Sequence, residues 1–137
     1  VLIELEPVLE KREVLGVPGA LTRVPGARGW VKGLANVRGQ LLPVLDLRQF
    51  LGSGVTPVTR NARIVVAHHR EIPAGLLVDE VLGFRRFAEA EFSGDVPPTV
   101  VRCERYLAGT FRRGQEQWPV LSLRTLIESP AFLDAAA

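Results

Sequence analysis

The stretch Leu34-Ala35-Asn36-Val37-Arg38-Gly39-Gln40-Leu41-Leu42-Pro43-Val44-Leu45-Asp46-Leu47-Arg48-Gln49-Phe50-Leu51 decides how this chain folds. Residues 34–38 predict a strand, Gly39-Gln40 a tight turn, and residues 41–46 the returning strand. Residues 47–51 predict a single helical turn, stopped by Gly52. The second half of the stretch recurs late in the chain. Pro43-Val44-Leu45-Asp46-Leu47-Arg48-Gln49-Phe50-Leu51 is echoed by Pro119-Val120-Leu121-Ser122-Leu123-Arg124-Thr125-Leu126-Ile127, with five of nine positions identical and the last two conservative. The flanks agree as well: Leu34-Ala35 leads into Arg38-Gly39-Gln40, and Leu107-Ala108 into Arg113-Gly114-Gln115, with one extra residue in the second copy. A hairpin, its turn and the helical turn after it thus occur twice, about 76 residues apart. Two amphipathic hairpins can reach similar apolar residues independently under β-propensity alone. The matching flanks favour two related β lobes. About five short strands in each are too few to bury both faces of an open sheet. Two small barrels sharing an apolar seam meet that need, and the expected fold class is all-β.

Outward from this pair, residues 1–17 predict one or two partial strands, and Pro18, Gly19, Pro25, Gly26 and Gly29 break the chain after them. Residues 52–61 form a polar loop. Residues 63–67 and 74–78, joined by a turn near His69-Arg70-Glu71, make another hairpin. A further strand is expected over residues 81–87 and a loop over 88–98. The late hairpin runs over 106–111 and 117–121 around a turn at Arg113-Gly114. Residues 123–127 predict a helical turn and 130–137 a short terminal helix.

The bulk composition agrees. The 137 residues are 47% apolar and 23% charged, with 13 glycines and 10 prolines, as suits a turn-rich β domain. Net charge is +2, and apart from Lys11 and Lys32 every basic residue is Arg, a side chain suited to bidentate contacts with carboxylate or phosphate. Arg85-Arg86 and Arg112-Arg113 are the only adjacent arginines, which reads as a solvated surface. Cys103 is the single cysteine, so no disulfide framework is possible, and a reducing cytoplasm is expected. No apolar run reaches the roughly 18–20 residues of a membrane span, and no direct membrane insertion is expected.

The residues of catalysis are missing. Neither Gly-rich phosphate loop occurs, and Gly52-Ser53-Gly54 is too short for a nucleophile elbow. His68 and His69 would point to opposite faces of a strand end, so they do not chelate one ion together, and no metal site is expected. Asp79-Glu80 and Glu89/Glu91 read as surface charges, since sequence spacing cannot place a carboxylate pair across a cleft. Cys103 lies between Arg102 and Arg105, which would lower its pKa, but a buried or inert thiol is the simpler reading. No enzyme activity and no cofactor are expected.

Residues 33–48 closely resemble the signature of the CheW-like chemotaxis coupling proteins, G-x-x-N-L-R-G followed by an apolar strand, P, and D-L-R. Gly75-Leu76-Leu77-Val78-Asp79-Glu80-Val81 resembles that family's G-x-x-V-D-x-V segment, and Tyr106-Leu107-Ala108-Gly109 with Pro119-Val120-Leu121 completes the order. Leu21-Thr22-Arg23-Val24-Pro25-Gly26 and Pro130-Ala131-Phe132-Leu133 look most like the branch attached to type IV pilus twitching motility (PilI-like). The resemblance runs over residues 21–127, with Val37 in place of the usual Leu, a harmless change by volume. The stretch before Leu21 is shorter than the family's opening strands. Together with Val1 and the absence of methionine, this suggests an incomplete product.

The resemblance implies one domain over residues 1–137, built as two intertwined SH3-like five-stranded barrels around a common apolar core, with short helical turns. It implies a non-enzymatic adaptor, without cofactor, bridging the cytoplasmic tip of a methyl-accepting chemoreceptor and the regulatory domain of a histidine kinase. Arg38 falls on the signature Arg implicated in receptor contact. Asn36, Val37 and Gly39 complete the expected partner-binding set, and Asn36, Gly39 and Asp46 also have plain roles in turn geometry and local hydrogen bonding. The alternative for Arg38 is an ion pair with Asp46 across the hairpin. Two other functions fit less well: the regulatory module of a larger kinase, and a basic β-barrel that binds nucleic acid. The latter usually exposes aromatics for base stacking, whereas aromatics here are 7% and sit in apolar runs.

Overall fold

A computed structural model describes residues 2–4, 13–19, 21–52, 54–69, 72–81, 87–94 and 106–130. The strands are β1 (Leu2–Glu4), β2 (Glu13–Gly16), β3 (Val31–Val37), β4 (Gln40–Asp46), β5 (Arg63–His69), β6 (Ile72–Val78), β7 (Phe92–Ser93), β8 (Leu107–Arg113) and β9 (Glu116–Ser122). Two short helices, α1 (Leu47–Phe50) and α2 (Leu123–Ile127), follow β4 and β9, and a 3₁₀ turn covers Glu89–Glu91. Among the described residues the strands form two sheets, β2-β5-β6-β4-β3 and β1-β9-β8-β7. One therefore has the five strands expected and the other four.

The two hairpins are equivalent residue by residue. In each, a bulge glycine at large positive φ opposes a valine: Gly33 (φ 140) against Val44, and Gly109 (φ 156) against Val120. A second segment lies on each bulge. Thr22 bridges Leu34, and Ser93 pairs with Thr110. The helices start alike too, on Asp46 (φ −82, ψ 105) and Ser122 (φ −83, ψ 108), whose side chains accept the Gln49 and Thr125 backbone N–H groups. This N-cap satisfies an otherwise orphaned donor in each copy.

Three sequence expectations need correcting. The offset between copies is a uniform 76, because Val31 and Leu107 hold the same place opposite Leu45 and Leu121. The apparent match of Leu34-Ala35 with Leu107-Ala108 is thus coincidental. The turns are Arg38-Gly39 and Gly114-Gln115, flanked by the pairs Val37↔Gln40 and Arg113↔Glu116. Finally, the expected loop over 88–98 contains the 3₁₀ turn and β7, too short to carry a periodic signal. Most of the strand expected over 81–87 and of the helix over 130–137 lies outside the described residues.

The sheets are interlocked by the start of the chain. β6 runs parallel to β4 in the first, and β1 runs parallel to β9 in the second, each beginning opposite the equivalent valine. The first strand of the chain therefore completes the lobe built by its last hairpin. One apolar cluster, Ala35, Leu42, Val44, Ala62, Ile64, Val66 and Leu77, belongs to the first lobe. A second joins Leu45, Leu47 and Leu76 to Tyr106, Leu121, Leu126 and Ile127, so the lobes share a core. Trp30 and Phe50 pack on it, in edge contact with centroids 4.7 Å apart.

Candidate partner-binding hairpin

The β3–β4 turn is built around an unusual residue. Arg38 has φ +52 and Gly39 φ +82, the double left-handed pattern of a type I′ two-residue hairpin loop. Glycine and asparagine suit such positions because a Cβ is crowded there, and Arg38 is the only positive-φ non-glycine among the described residues. In the second hairpin the same position is Gly114 (φ 62). The Asn36 side chain locks the turn, its Oδ1 accepting the Gly39 N–H at 3.1 Å. Arg38, Asn36 and Gly39 are exposed, whereas Val37 is half-buried against the first-lobe core. The four expected residues are thus together, with Val37 as root and Arg38 as tip.

Asp46 lies at the opposite end of β4 and is fully buried. Its carboxylate accepts the Thr56 N–H at 2.9 Å, the Thr56 hydroxyl and the Gln49 N–H at 3.2 Å, with Lys32 Nζ 4.0 Å away. Strand rise places the turn roughly 20 Å away, so the Arg38–Asp46 pairing considered above does not form. Asp46 instead caps α1 and pins the 54–61 loop, and this donor shell compensates the buried charge. Arg48 of α1 meets Asp79 just after β6 at 3.1 Å, an exposed pair that ties two signature segments together.

On the second lobe, Phe92, Phe111 and Trp118 stand in one cross-strand row, and Phe87 stacks on Phe111 at 4.7 Å. Arg113 covers Phe87 and grips Glu91 through two contacts of 3.0 and 3.2 Å. The Arg113 hydrogen bond, with the Ala88 N–H behind it, holds the Glu91 carboxyl below the usual carboxylate range. Glu91 likewise raises the Arg113 guanidinium. Among the described residues no group of three or more His, Cys, Asp or Glu is placed to hold a metal, and no helix is long and apolar enough to cross a membrane. Cys103 lies outside the described residues.

With this geometry in hand, comparison with known proteins is decisive: the model of the CheW-like domain matches residues 7–131. The chain belongs to the CheW-like domain family. It is 42% identical over 130 residues to the protein PilI of Pseudomonas aeruginosa, covering 95% of this chain and 72% of PilI. The CheW chemotaxis protein of Thermotoga maritima is 35% identical over 85 residues, covering 62% of this chain and 51% of that protein. FrzA of Myxococcus xanthus is 36% identical over 80 residues, covering 58% of this chain and 48% of FrzA. The crystal structure of the scaffolding protein TtCheW from Thermoanaerobacter tengcongensis superposes with a TM-score of 0.72 at 24% identity, covering 87% of this chain and 76% of that one. That likeness establishes the two-lobed SH3-like barrel fold. The resemblance to the CheW-like family and its PilI-like branch drawn from the residues therefore stands.

Sequence reasoning missed two features of this hairpin. No Asp or Glu occurs from Val14 to Leu45, a stretch that carries Arg23, Arg28, Lys32 and Arg38. Leu41, next to the turn, is 62% exposed. A charge count over a sliding window would have found the first, and a residue-by-residue alignment of the two hairpins the second.

Proposed function

We propose that this chain is a cytoplasmic adaptor without a reaction or cofactor of its own, coupling a chemoreceptor to a histidine kinase in a pathway controlling type IV pilus twitching motility. Family membership and the likeness to PilI and FrzA support this reading. It treats residues 1–137 as one domain whose two lobes offer separate surfaces to separate partners. Arg38, set by Asn36 and Gly39 and rooted by Val37, meets the cytoplasmic tip of the receptor. The kinase regulatory domain takes another surface. Nucleic acid is not a partner, because net charge is small and few counterions would be released.

The observation that carries the receptor contact is the left-handed conformation of Arg38. Such outliers persist where the surroundings over-determine them and cluster at working sites. The second hairpin also turns on two residues, with glycine in the place of Arg38 (Gly114, φ 62), so turning the chain at this place does not require a guanidinium. An exposed arginine at a fixed tip suits bidentate contact with carboxylates. A paired titration of wild type and Arg38→Glu against a receptor tip fragment and a kinase regulatory domain tests this. Selective loss of receptor binding is expected. Unchanged receptor affinity in a folded variant refutes the role of Arg38.

A further inference from the structure

The uniform offset of the hairpins and the matching bridges of their straps make four positions of one lobe correspond to four of the other. Leu21, Ala35, Val37 and Leu42 in the first lobe are matched by Phe92, Phe111, Arg113 and Trp118 in the second. In the first lobe all four are apolar and either form its core or pack against it. In the second, aromatic rings replace the aliphatic side chains, an arginine replaces the valine, and Phe92 at the sheet edge is 42% exposed. A charged side chain thus stands where the other copy closes its face by apolar packing.

The partners of that arginine lie on the strap. A strap crosses each hairpin at its bulge glycine, with the Thr22 carbonyl over Gly33 and the Ser93 carbonyl over Gly109, each where a Cβ would stand. The first strap is fixed by two hydrogen bonds between Thr22 and Leu34 and by Leu21 against the core. The second, residues 87–94, lays Phe87 and Phe92 on either side of Phe111, at 4.7 and 5.2 Å. Arg113 then ties its parts together. The guanidinium sits 4.7 Å above the Phe87 ring and holds the Glu91 carboxylate, whose Oε1 also closes the 3₁₀ turn on the Ala88 N–H at 2.8 Å. Glu116, the cross-strand partner of Arg113, is a second carboxylate acting on it.

We infer that residues 87–94 form a charge-latched flap over the aromatic face of the second lobe, with Arg113 as the latch. Releasing the guanidinium frees the flap and bares Phe111, Trp118 and the edge of β8, while the strap of the first lobe stays closed. An exposed ion pair and an exposed cation–π contact are each weak, which places the flap among the segments that open locally, below the threshold of global unfolding. A valine, as in the first lobe, would hold the face shut by burial whatever the charges nearby. The arginine instead makes closure open to competition from any charged group that takes Arg113 or Glu91.

Hydrogen–deuterium exchange of the whole chain, read by mass spectrometry on peptides covering residues 87–94 and 21–28, tests the latch. Glu91→Gln removes the charge and keeps an acceptor for the Ala88 N–H, and Arg113→Val copies Val37 of the first lobe. Each should speed exchange over 87–94 by about three- to tenfold and leave 21–28 unchanged. The double variant should exchange no faster than the faster single one, because both remove one shared interaction. Arg113→Lys, which keeps the charge but not the two-pronged contact, should fall between wild type and Arg113→Val. Unchanged exchange over 87–94 in Glu91→Gln overturns the latch. Slower exchange in Arg113→Val would show that the position works by burial, and overturns it as well. So does an equal rise over 21–28, which would mean that the whole domain opens rather than the flap, or a double variant whose effect is the sum of the two.

Discussion

Replacing Arg38 by glycine should make the protein slightly more stable and less able to bind. The turn holds Arg38 at φ +52, where a Cβ costs about 1–2 kcal/mol. Glycine removes that crowding but adds unfolded-state entropy of about 0.5–1 kcal/mol. Removing the side chain at an exposed tip changes stability by within about 0.5 kcal/mol. The first two leave a gain between about zero and 1.5 kcal/mol, which the third shifts by at most about 0.5 kcal/mol. For a chain of this length a gain of about 1.5 kcal/mol raises the melting temperature by roughly 6 °C. The second hairpin already makes its turn on Gly114 (φ 62), so the backbone has a worked precedent. Receptor affinity should fall by at least about tenfold, as expected for a lost charge-assisted contact. Thermal melting and calorimetric titration of the same preparation read the two effects. A melting temperature several degrees lower would show that the Arg38 side chain supports the fold, and the inference from strain to function would fail.

Other expectations follow from the shared design of the hairpins and their straps. A Cβ on Gly109 would stand 2.4 Å from the Ser93 carbonyl oxygen and 2.6 Å from the Phe92 ring. Gly109→Ala should therefore destabilise by about 2–4 kcal/mol in chemical denaturation, whereas Gly16→Ala, with nothing within 4 Å, should be near neutral. Thr56→Val takes the hydroxyl donor from the buried Asp46 carboxylate and should cost about 1–3 kcal/mol in the same assay. The Glu91 carboxyl is held below its ordinary range in the folded state, so its pairing with Arg113 contributes above the unfolded-state pKa and is lost as pH falls through the lower folded value. The melting difference between wild type and Glu91→Gln should hold steady at neutral pH and vanish in acid; a difference growing in acid would reverse the assignment.

The two hairpins were legible because their β-branched and leucine-rich strands alternate around glycine, and because Pro43 and Pro119 mark the same register in both copies. The turn was misplaced by one residue for a physical reason. Arginine is a poor occupant of a left-handed position, so Gly39-Gln40 looked the better turn, and the tension at Arg38 was invisible without coordinates. The pairing of β1 with β9 joins the two ends of the chain in parallel, and no local pattern announces such a contact. Asp46 offered a partner in Arg38 by charge alone, while its hydrogen-bond donors, the Thr56 hydroxyl and the Thr56 and Gln49 backbone N–H groups, carry no formal charge, and the nearby cation is Lys32 at 4.0 Å. Leu41 read as one more apolar strand residue, because alternation does not say which face is covered.

The coupling claim is tested most directly by mixing this protein with a receptor tip fragment and a kinase regulatory domain and measuring the mass of what forms by sedimentation velocity. The account predicts one boundary containing all three components, which Arg38→Glu converts into a protein–kinase complex with the receptor fragment left free. Binding of the two partners in competition, so that each displaces the other from the wild type, would contradict separate surfaces and with them the role of this chain as a bridge.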